Sequence, residues 1–173
     1  MALTFTVEDG TGVTGANSYT TVAFADDYAS MNASTVVAWE ALTQAQKEHY
    51  LMWATHILDT LTKWEGNKVS QDNELSWPRQ GVADKEGYMI ESNTIPKAVK
   101  QATAFLAGTL IDTDITAIDP VRAFKKIEVD VIKLTWRDDV YTQQVAPFLR
   151  SLLAGLGILS SPGSLGFVPI VKG

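Results

Sequence analysis

The sequence predicts a mainly α-helical protein: a small bundle of about four helices with one long ordered loop and a minor β component. Residues 44–64 and 95–111 carry apolar side chains at spacings of three and four, the period of an amphipathic helix. A polar stretch rich in Gly and Pro begins at Trp64; with Trp77 it holds two of the five tryptophans, which favours an ordered loop. Residues 125–137 alternate apolar and polar side chains and indicate a strand.

The length and composition are those of an ordinary globular domain. The chain has 173 residues, of which 46% are hydrophobic and 20% charged, enough to bury a sizeable core. We expect one domain over residues 1–173, with a helical core at about 17–157. The strand 3–7 and the tail 160–173 would then be assembly arms.

Several classes of protein are disfavoured by composition. There is no cysteine, so disulfides and thiolate metal sites are excluded. No apolar run approaches the roughly 18–20 residues needed to span a bilayer, and residues 1–7 lack the features of a signal peptide. We therefore expect a protein made in a reducing cytoplasm, with no membrane partner.

The net charge of −6 is concentrated in the first third of the chain. Residues 1–62 hold seven acidic residues against one basic residue, whereas residues 63–100 hold six of each and residues 101–173 seven of each. Nucleic-acid binding through phosphates usually requires a basic face, so this distribution argues against tight non-specific binding of DNA.

The first quarter of the chain predicts a strand, a loop and a helix. Residues 3–7 alternate and are rich in β-formers, and residues 8–17 form a loop with three glycines. A helix over about 21–32 follows, with Asp26 and Asp27 on its solvated face.

The longest predicted helix spans residues 44–64, after a short turn or helix at 36–42. Thr43 and Gln46 form a capping-box pattern at its start. Its apolar stripe should be core, and it comprises Tyr50, Trp53, Ala54, Ile57, Leu58, Leu61 and Trp64.

The second half predicts two more helices and a long strand. Pro96 opens a helix that ends near Ile111, and Pro147 opens a short last helix. The strand at 125–137 changes register midway, and its partner is either the strand 3–7 or a neighbouring subunit. A candidate assembly surface follows from this strand and the apolar tail: Lys126, Glu128, Asp130, Lys133, Trp136 and Phe167.

No motif for catalysis, a metal or a cofactor appears, so we predict no enzyme activity and no catalytic residues. His49 and His56 are seven residues apart, too far for one metal ion on a helix, and we expect them at the edge of the core.

The order of several short motifs resembles a family of tailed-phage structural proteins often labelled "putative DnaT-like single-stranded DNA-binding". The match runs from about residue 17 to 157, and the Trp-Pro-Arg block is its most specific part. The motifs are Asn17-Ser18-Tyr19, Leu58-Asp59-Thr60-Leu61, Trp64-x-Gly66-x-Lys68-Val69, Leu75-x-Trp77-Pro78-Arg79-x-Gly81-Val82, Ile95-Pro96-x-x-Val99-Lys100-x-Ala102 and the strand from Lys126 to Trp136.

The resemblance implies two different functions. One is a head-to-tail adaptor, a ring under the phage portal in the virion neck through which DNA passes as cargo. Its partners would be copies of itself, with twelve-fold symmetry matching the portal, the portal protein and neck or tail proteins. The other is a replication protein that binds single-stranded DNA.

The residues themselves favour the adaptor. Single-strand binders interleave aromatic and basic side chains along a groove, and here only Lys68, Trp77 and Arg79 offer such a site. We expect the motif residues mainly to anchor the loop 65–95 to the core, namely Trp64, Gly66, Lys68, Val69, Trp77, Pro78, Arg79 and Gly81. Arg79 either caps groups within the fold or meets a neighbouring subunit.

Overall fold

Five helices are the main elements of the structure, a computed structural model that describes residues 3–111 and 146–159. They are α1 (Val22–Ser30), α2 (Val36–Glu40), α3 (Gln44–Leu61), α4 (Lys97–Thr109) and α5 (Ala146–Leu152). The prediction of a mainly α-helical fold with a minor β component is confirmed. None of the helices in these two ranges is both long and apolar enough to cross a bilayer.

Helix α4 lies at the centre of the bundle and packs against α1, α3 and α5. Its buried face carries small residues, including Ala102 and Ala107, which have no solvent exposure. A Cβ at Gly108 would lie 2.8 Å from the Thr35 side chain, so glycine permits the close approach of the segment before α2. Small side chains on α4 thus allow its neighbours to pack closely around it.

Helix α3 begins as predicted but ends three residues early. Thr43 and Gln46 form the capping box, which satisfies free backbone N–H groups at the start of the helix. At the other end, Thr62–Trp64 leaves the helix as strand β1 and pairs antiparallel with β4 (Gly157–Leu159). A Cβ at Gly157 would lie 2.7 Å from Thr62 Cγ2, so glycine lets the strands meet. The prediction that the helix includes Trp64 is therefore wrong.

The N-terminal segment is not the strand predicted at residues 3–7. Only Val7 forms a β-bridge, with Ser18, and the bridge is parallel. The carboxylate of Glu8, 1% exposed, instead accepts hydrogen bonds of 2.9 Å each from the backbone N–H groups of Gly10, Gly12 and Val13. A buried carboxylate is retained here because backbone donors replace its water.

Asp26, on the solvated face of α1, also contacts two other helices. Its Oδ1 accepts hydrogen bonds from Trp39 Nε1 at 2.7 Å and from Lys47 Nζ at 2.8 Å, and Asp27 beside it stays exposed. Asp26 thereby links α1 to α2 and α3. Both carboxylates are exposed, as predicted for a solvated face, and Asp26 makes its two contacts from that face.

Part of the predicted architecture lies outside the described residues. This applies to the strand at 125–137, and so to the prediction of what pairs with it, and to the tail 160–173. It applies equally to the whole candidate assembly surface: Lys126, Glu128, Asp130, Lys133, Trp136 and Phe167.

Candidate functional site

The loop 65–95, which we call the motif loop, folds back on itself through a two-stranded ribbon. Strand β2 (Asn67–Lys68) pairs antiparallel with β3 (Arg79–Gln80). Gly66, which precedes β2, has a φ of +64°, and a Cβ there would collide with the Gln80 carbonyl and with Val82. Glycine is therefore required at this close approach of two backbones.

Arg79 closes this ribbon with all three of its guanidinium nitrogens. Nε donates to the Glu65 carbonyl at 2.6 Å, Nη2 to the Gly66 carbonyl at 2.7 Å and Nη1 to the Ser76 carbonyl at 3.0 Å. Burial lowers the pKa of Arg79 below its usual value, and the charges of Asp59 and Glu65 act in the opposite direction. The side chain thus caps carbonyls of its own loop.

Asp59, in the last turn of α3, is the hub to which the loop is attached. Its Oδ1 accepts from the Tyr19 hydroxyl at 2.6 Å and from Trp64 Nε1 at 3.0 Å, and its Oδ2 accepts from the Ser76 backbone N–H at 2.9 Å. The Tyr19 hydroxyl in turn accepts from the backbone N–H of Trp77 at 3.2 Å. This Asp59 network joins the segment before α1, the end of α3 and the motif loop.

Burial is the largest cause that raises the pKa of Tyr19 well above its ordinary value, and the negative charge of Asp59 adds to it. The hydroxyl therefore stays protonated at neutral pH and can donate to the carboxylate. Tyr19 is wholly buried, which makes this hydrogen bond part of the core.

The two loop tryptophans lie inside the protein and touch each other. Trp77 has no solvent exposure and Trp64 is 8% exposed. Their rings meet edge to face, with centroids 5.8 Å apart and planes at 86°. No ring face of Trp77 is open to stack on a base, and the indole Nε1 of Trp77 is buried without a hydrogen-bond partner among the described residues.

The remaining motif residues are hydrogen-bonded within the loop, buried or exposed. Lys68 Nζ donates to the Asn73 carbonyl at 2.6 Å, and the backbone N–H of Val69 donates to the Pro78 carbonyl at 3.2 Å. Pro78 follows a cis peptide bond and is buried. The side chain of Val69 is 45% exposed, and a Cβ at Gly81 would meet nothing within 4 Å.

The polar groups of this arrangement are engaged with one another. The Asp59 carboxylate, the Tyr19 hydroxyl and the Arg79 guanidinium are hydrogen-bonded within the fold; Tyr19 is buried, and Asp59 and Arg79 are half-buried. In residues 3–111 and 146–159, no group of three or more His, Asp or Glu side chains could hold a metal ion. What the arrangement can do is hold a long loop rigidly on α3.

Sequence reasoning missed Tyr19 and Asp59 as the residues to which the loop is attached. Both stand in motifs that carry the resemblance, Asn17-Ser18-Tyr19 and Leu58-Asp59-Thr60-Leu61. The signal was therefore present, but nothing in the sequence indicated that these distant motifs meet at one carboxylate.

Trp53 was expected in the core, yet it is 42% exposed. It stacks on His56, with ring centroids 5.2 Å apart and planes at 19°, and both side chains border an open groove of about 680 Å³. Other residues lining this groove include Leu3, His49, Asp59, Glu74 and Leu75. We call it the Trp53 groove; it is the one place where an exposed indole meets a concave surface among the described residues.

A family model described as "Putative DnaT-like ssDNA binding protein" matches residues 3–173. The match extends to both ends of the chain and so includes the first residues and the tail, beyond the range 17–157 that the short motifs suggested. Neither the curated proteins nor the solved structures contain a significant match to this sequence.

Proposed function

We propose, since the chain belongs to the family described as "Putative DnaT-like ssDNA binding protein", that the family motif serves a structural role and that the protein acts through assembly. In this proposal it is a head-to-tail adaptor of a tailed phage. Copies of the chain form a ring under the portal, in the neck of the virion, with twelve-fold symmetry if it follows the portal. Portal and neck proteins bind the ring, and DNA passes through it.

One observation supports this proposal: the side chains of the motif are already hydrogen-bonded or buried within the protein's own fold. Arg79 has all three nitrogens on carbonyls of its own loop, and Trp77 is fully buried. Neither side chain is free to grip a nucleic acid without rearrangement of the loop. The same contacts give a rigid loop, which a subunit that must dock on its neighbours needs.

The charge and the exposed apolar side chains agree with assembly. An excess of six negative charges in residues 1–62 disfavours retention of the DNA backbone as it passes. At the far end of the motif loop, Tyr88 and Met89 are 71% and 68% exposed next to each other, on a turn closed by a bridge between Ala83 and Met89. Such a pair of exposed apolar side chains suits a contact with another subunit.

The test is the composition of particles assembled from the genome that encodes the chain. We expect mass spectrometry of gradient-purified particles to find the protein at about the copy number of the portal. Deletion of the gene should give DNA-filled heads and tails that fail to join, and the wild-type chain should restore joining. Purified infectious particles that lack the protein would refute the proposal.

A second candidate function is binding of single-stranded DNA, which the description of the matched family names. The exposed ring of Trp53 could stack on a base, as aromatic side chains do in single-strand binders. Against it stands the Trp53 groove, whose lining includes Asp59 and Glu74 and neither Lys nor Arg.

The two functions are separated by one binding measurement. Fluorescence anisotropy of a labelled oligothymidylate at physiological salt should show no saturable binding to an adaptor. Saturable binding that is lost in Trp53→Ala and kept in Tyr88→Ala would establish the second function. Tyr88 is the matched control because it is an exposed aromatic residue that does not line the Trp53 groove.

A further inference from the structure

The Trp53 groove has an unusual combination of an exposed indole and negative charge. Trp53 is 42% exposed and held by stacking on His56, so its other face is available without unfolding. Two carboxylates, Asp59 and Glu74, line the groove, and no Lys or Arg is among its lining residues. With neutral histidines its formal charge is therefore −2.

The two carboxylates are not equivalent. Asp59 has both oxygens occupied by hydrogen bonds from Tyr19, Trp64 and Ser76, and so contributes charge rather than a free acceptor. Glu74 is exposed, and the salt bridge found within residues 3–111 and 146–159 joins Lys47 to Asp26 and does not involve Glu74. Glu74 can therefore pair with a cation from another molecule.

We infer that the Trp53 groove binds an extended segment of a partner protein that carries an arginine side chain between apolar residues. The guanidinium stacks on the open face of Trp53, as cations do on indole, and pairs with Glu74. The apolar neighbours of the arginine contact Leu3 and Leu75, which line the same groove. A phosphate backbone fits poorly, because the groove offers it carboxylates and no cation.

This inference goes beyond the proposed function, and it stands or falls independently of virion assembly. The probe is a blocked peptide, acetyl-Val-Arg-Leu-Arg-Val-amide, compared with the same peptide carrying neutral citrulline in place of both arginines. Binding to the full chain is followed by nuclear magnetic resonance at the indole N–H signal of Trp53. That signal is assigned by its loss in Trp53→Phe.

We expect the arginine peptide to shift the Trp53 signal saturably and the citrulline peptide to bind at least about threefold more weakly, given the strength of exposed cation–π contacts. Glu74→Gln should weaken binding by a similar factor. Trp53→Ala lacks the indole signal, so its binding is measured by isothermal titration calorimetry, and it should be weakened by a similar factor as well. Tyr88→Ala and Glu86→Gln, which alter exposed residues outside the groove, should leave binding unchanged. Thermal unfolding of each variant confirms that it is folded.

Three results would overturn the inference. One is the absence of a saturable shift at Trp53 up to millimolar peptide, and another is equal binding of the arginine and citrulline peptides. The third is occupation of the groove by something else. Displacement of the peptide by oligothymidylate would identify DNA as the occupant. Self-association in sedimentation that Trp53→Ala abolishes would identify a second copy of the chain as the occupant.

Discussion

The hydroxyl of Tyr19 lies 2.6 Å from Asp59 Oδ1, although the two residues are 40 positions apart in the sequence. The same hydroxyl accepts from the backbone N–H of Trp77, and the same carboxylate accepts from that of Ser76. One side-chain pair thus holds the motif loop against the segment before α1 and the end of α3.

Replacing Tyr19 with Phe should destabilise the protein by about 2 kcal/mol, because a buried acceptor on Asp59 and a buried donor on Trp77 each lose a partner. The free energy of unfolding in urea measures the effect. Tyr88→Phe is the matched control, since Tyr88 is 71% exposed, and it should change stability by less than about 0.5 kcal/mol. Equal stability of the two variants would show that the Asp59 network contributes little.

Arg79→Ala should cost about 2 to 3 kcal/mol, since three loop carbonyls lose a charged donor. Arg79→Lys should recover only a minor part, because an ammonium group cannot reach three carbonyls with the geometry of a planar guanidinium. Lys97→Ala, an exposed residue on α4, is the control. An Arg79→Ala variant as stable as the wild type would instead favour a role for Arg79 outside its own chain.

The contacts of Asp26 predict that it contributes to stability in a pH-dependent way. Burial raises the pKa of Asp26, but the hydrogen bonds from Lys47 and Trp39 and the charge of Lys47 outweigh it, so that the pKa lies below its ordinary value of 3.8. A carboxyl group whose pKa is lower in the folded state than in the unfolded state stabilises the fold. This contribution is fully present at pH values above the pKa of the unfolded state, and it is lost as the pH falls through the pKa of the folded state.

Asp26→Asn should therefore be less stable than Asp27→Asn at pH 7, by about 0.5 kcal/mol as for an exposed ion pair. The difference should shrink as the pH falls below about 4. Asp27 is the matched control because it is the exposed neighbour on the same helix. Urea unfolding across this pH range measures both variants, and a difference that does not depend on pH would contradict the assignment.

Gly66 and Gly81 form a natural pair for testing the loop, since both have positive φ, +64° and +73°. Gly81→Ala should cost about 1 kcal/mol from backbone strain alone, because nothing lies within 4 Å of the added Cβ. Gly66→Ala should cost at least about 2 kcal/mol more, because its Cβ collides with the backbone of β3 as well. Similar losses in the two variants would mean that this close approach is not rigid.

The helices could be predicted because their signals are local. The capping box at Thr43 and Pro96 before α4 each mark the start of a helix within a few residues. The end of α3 could not be predicted, because Thr62–Trp64 becomes a strand only when Gly157–Leu159 arrives to pair with it. The same holds for Trp53, which continues the apolar spacing of α3 but borders a groove left open by the elements that the structure describes.

The sequence by itself determined the mainly α-helical class, the position of the motif loop and the family resemblance, because periodicity, caps and motif order are written along the chain. Only the tertiary structure decided what the motif does. Tyr19, Asp59 and Trp77 come from three separate segments, and their shared network exists only once the chain brings them together. Long-range hydrogen bonds between polar groups have no sequence period, so their partners become known only from the folded chain.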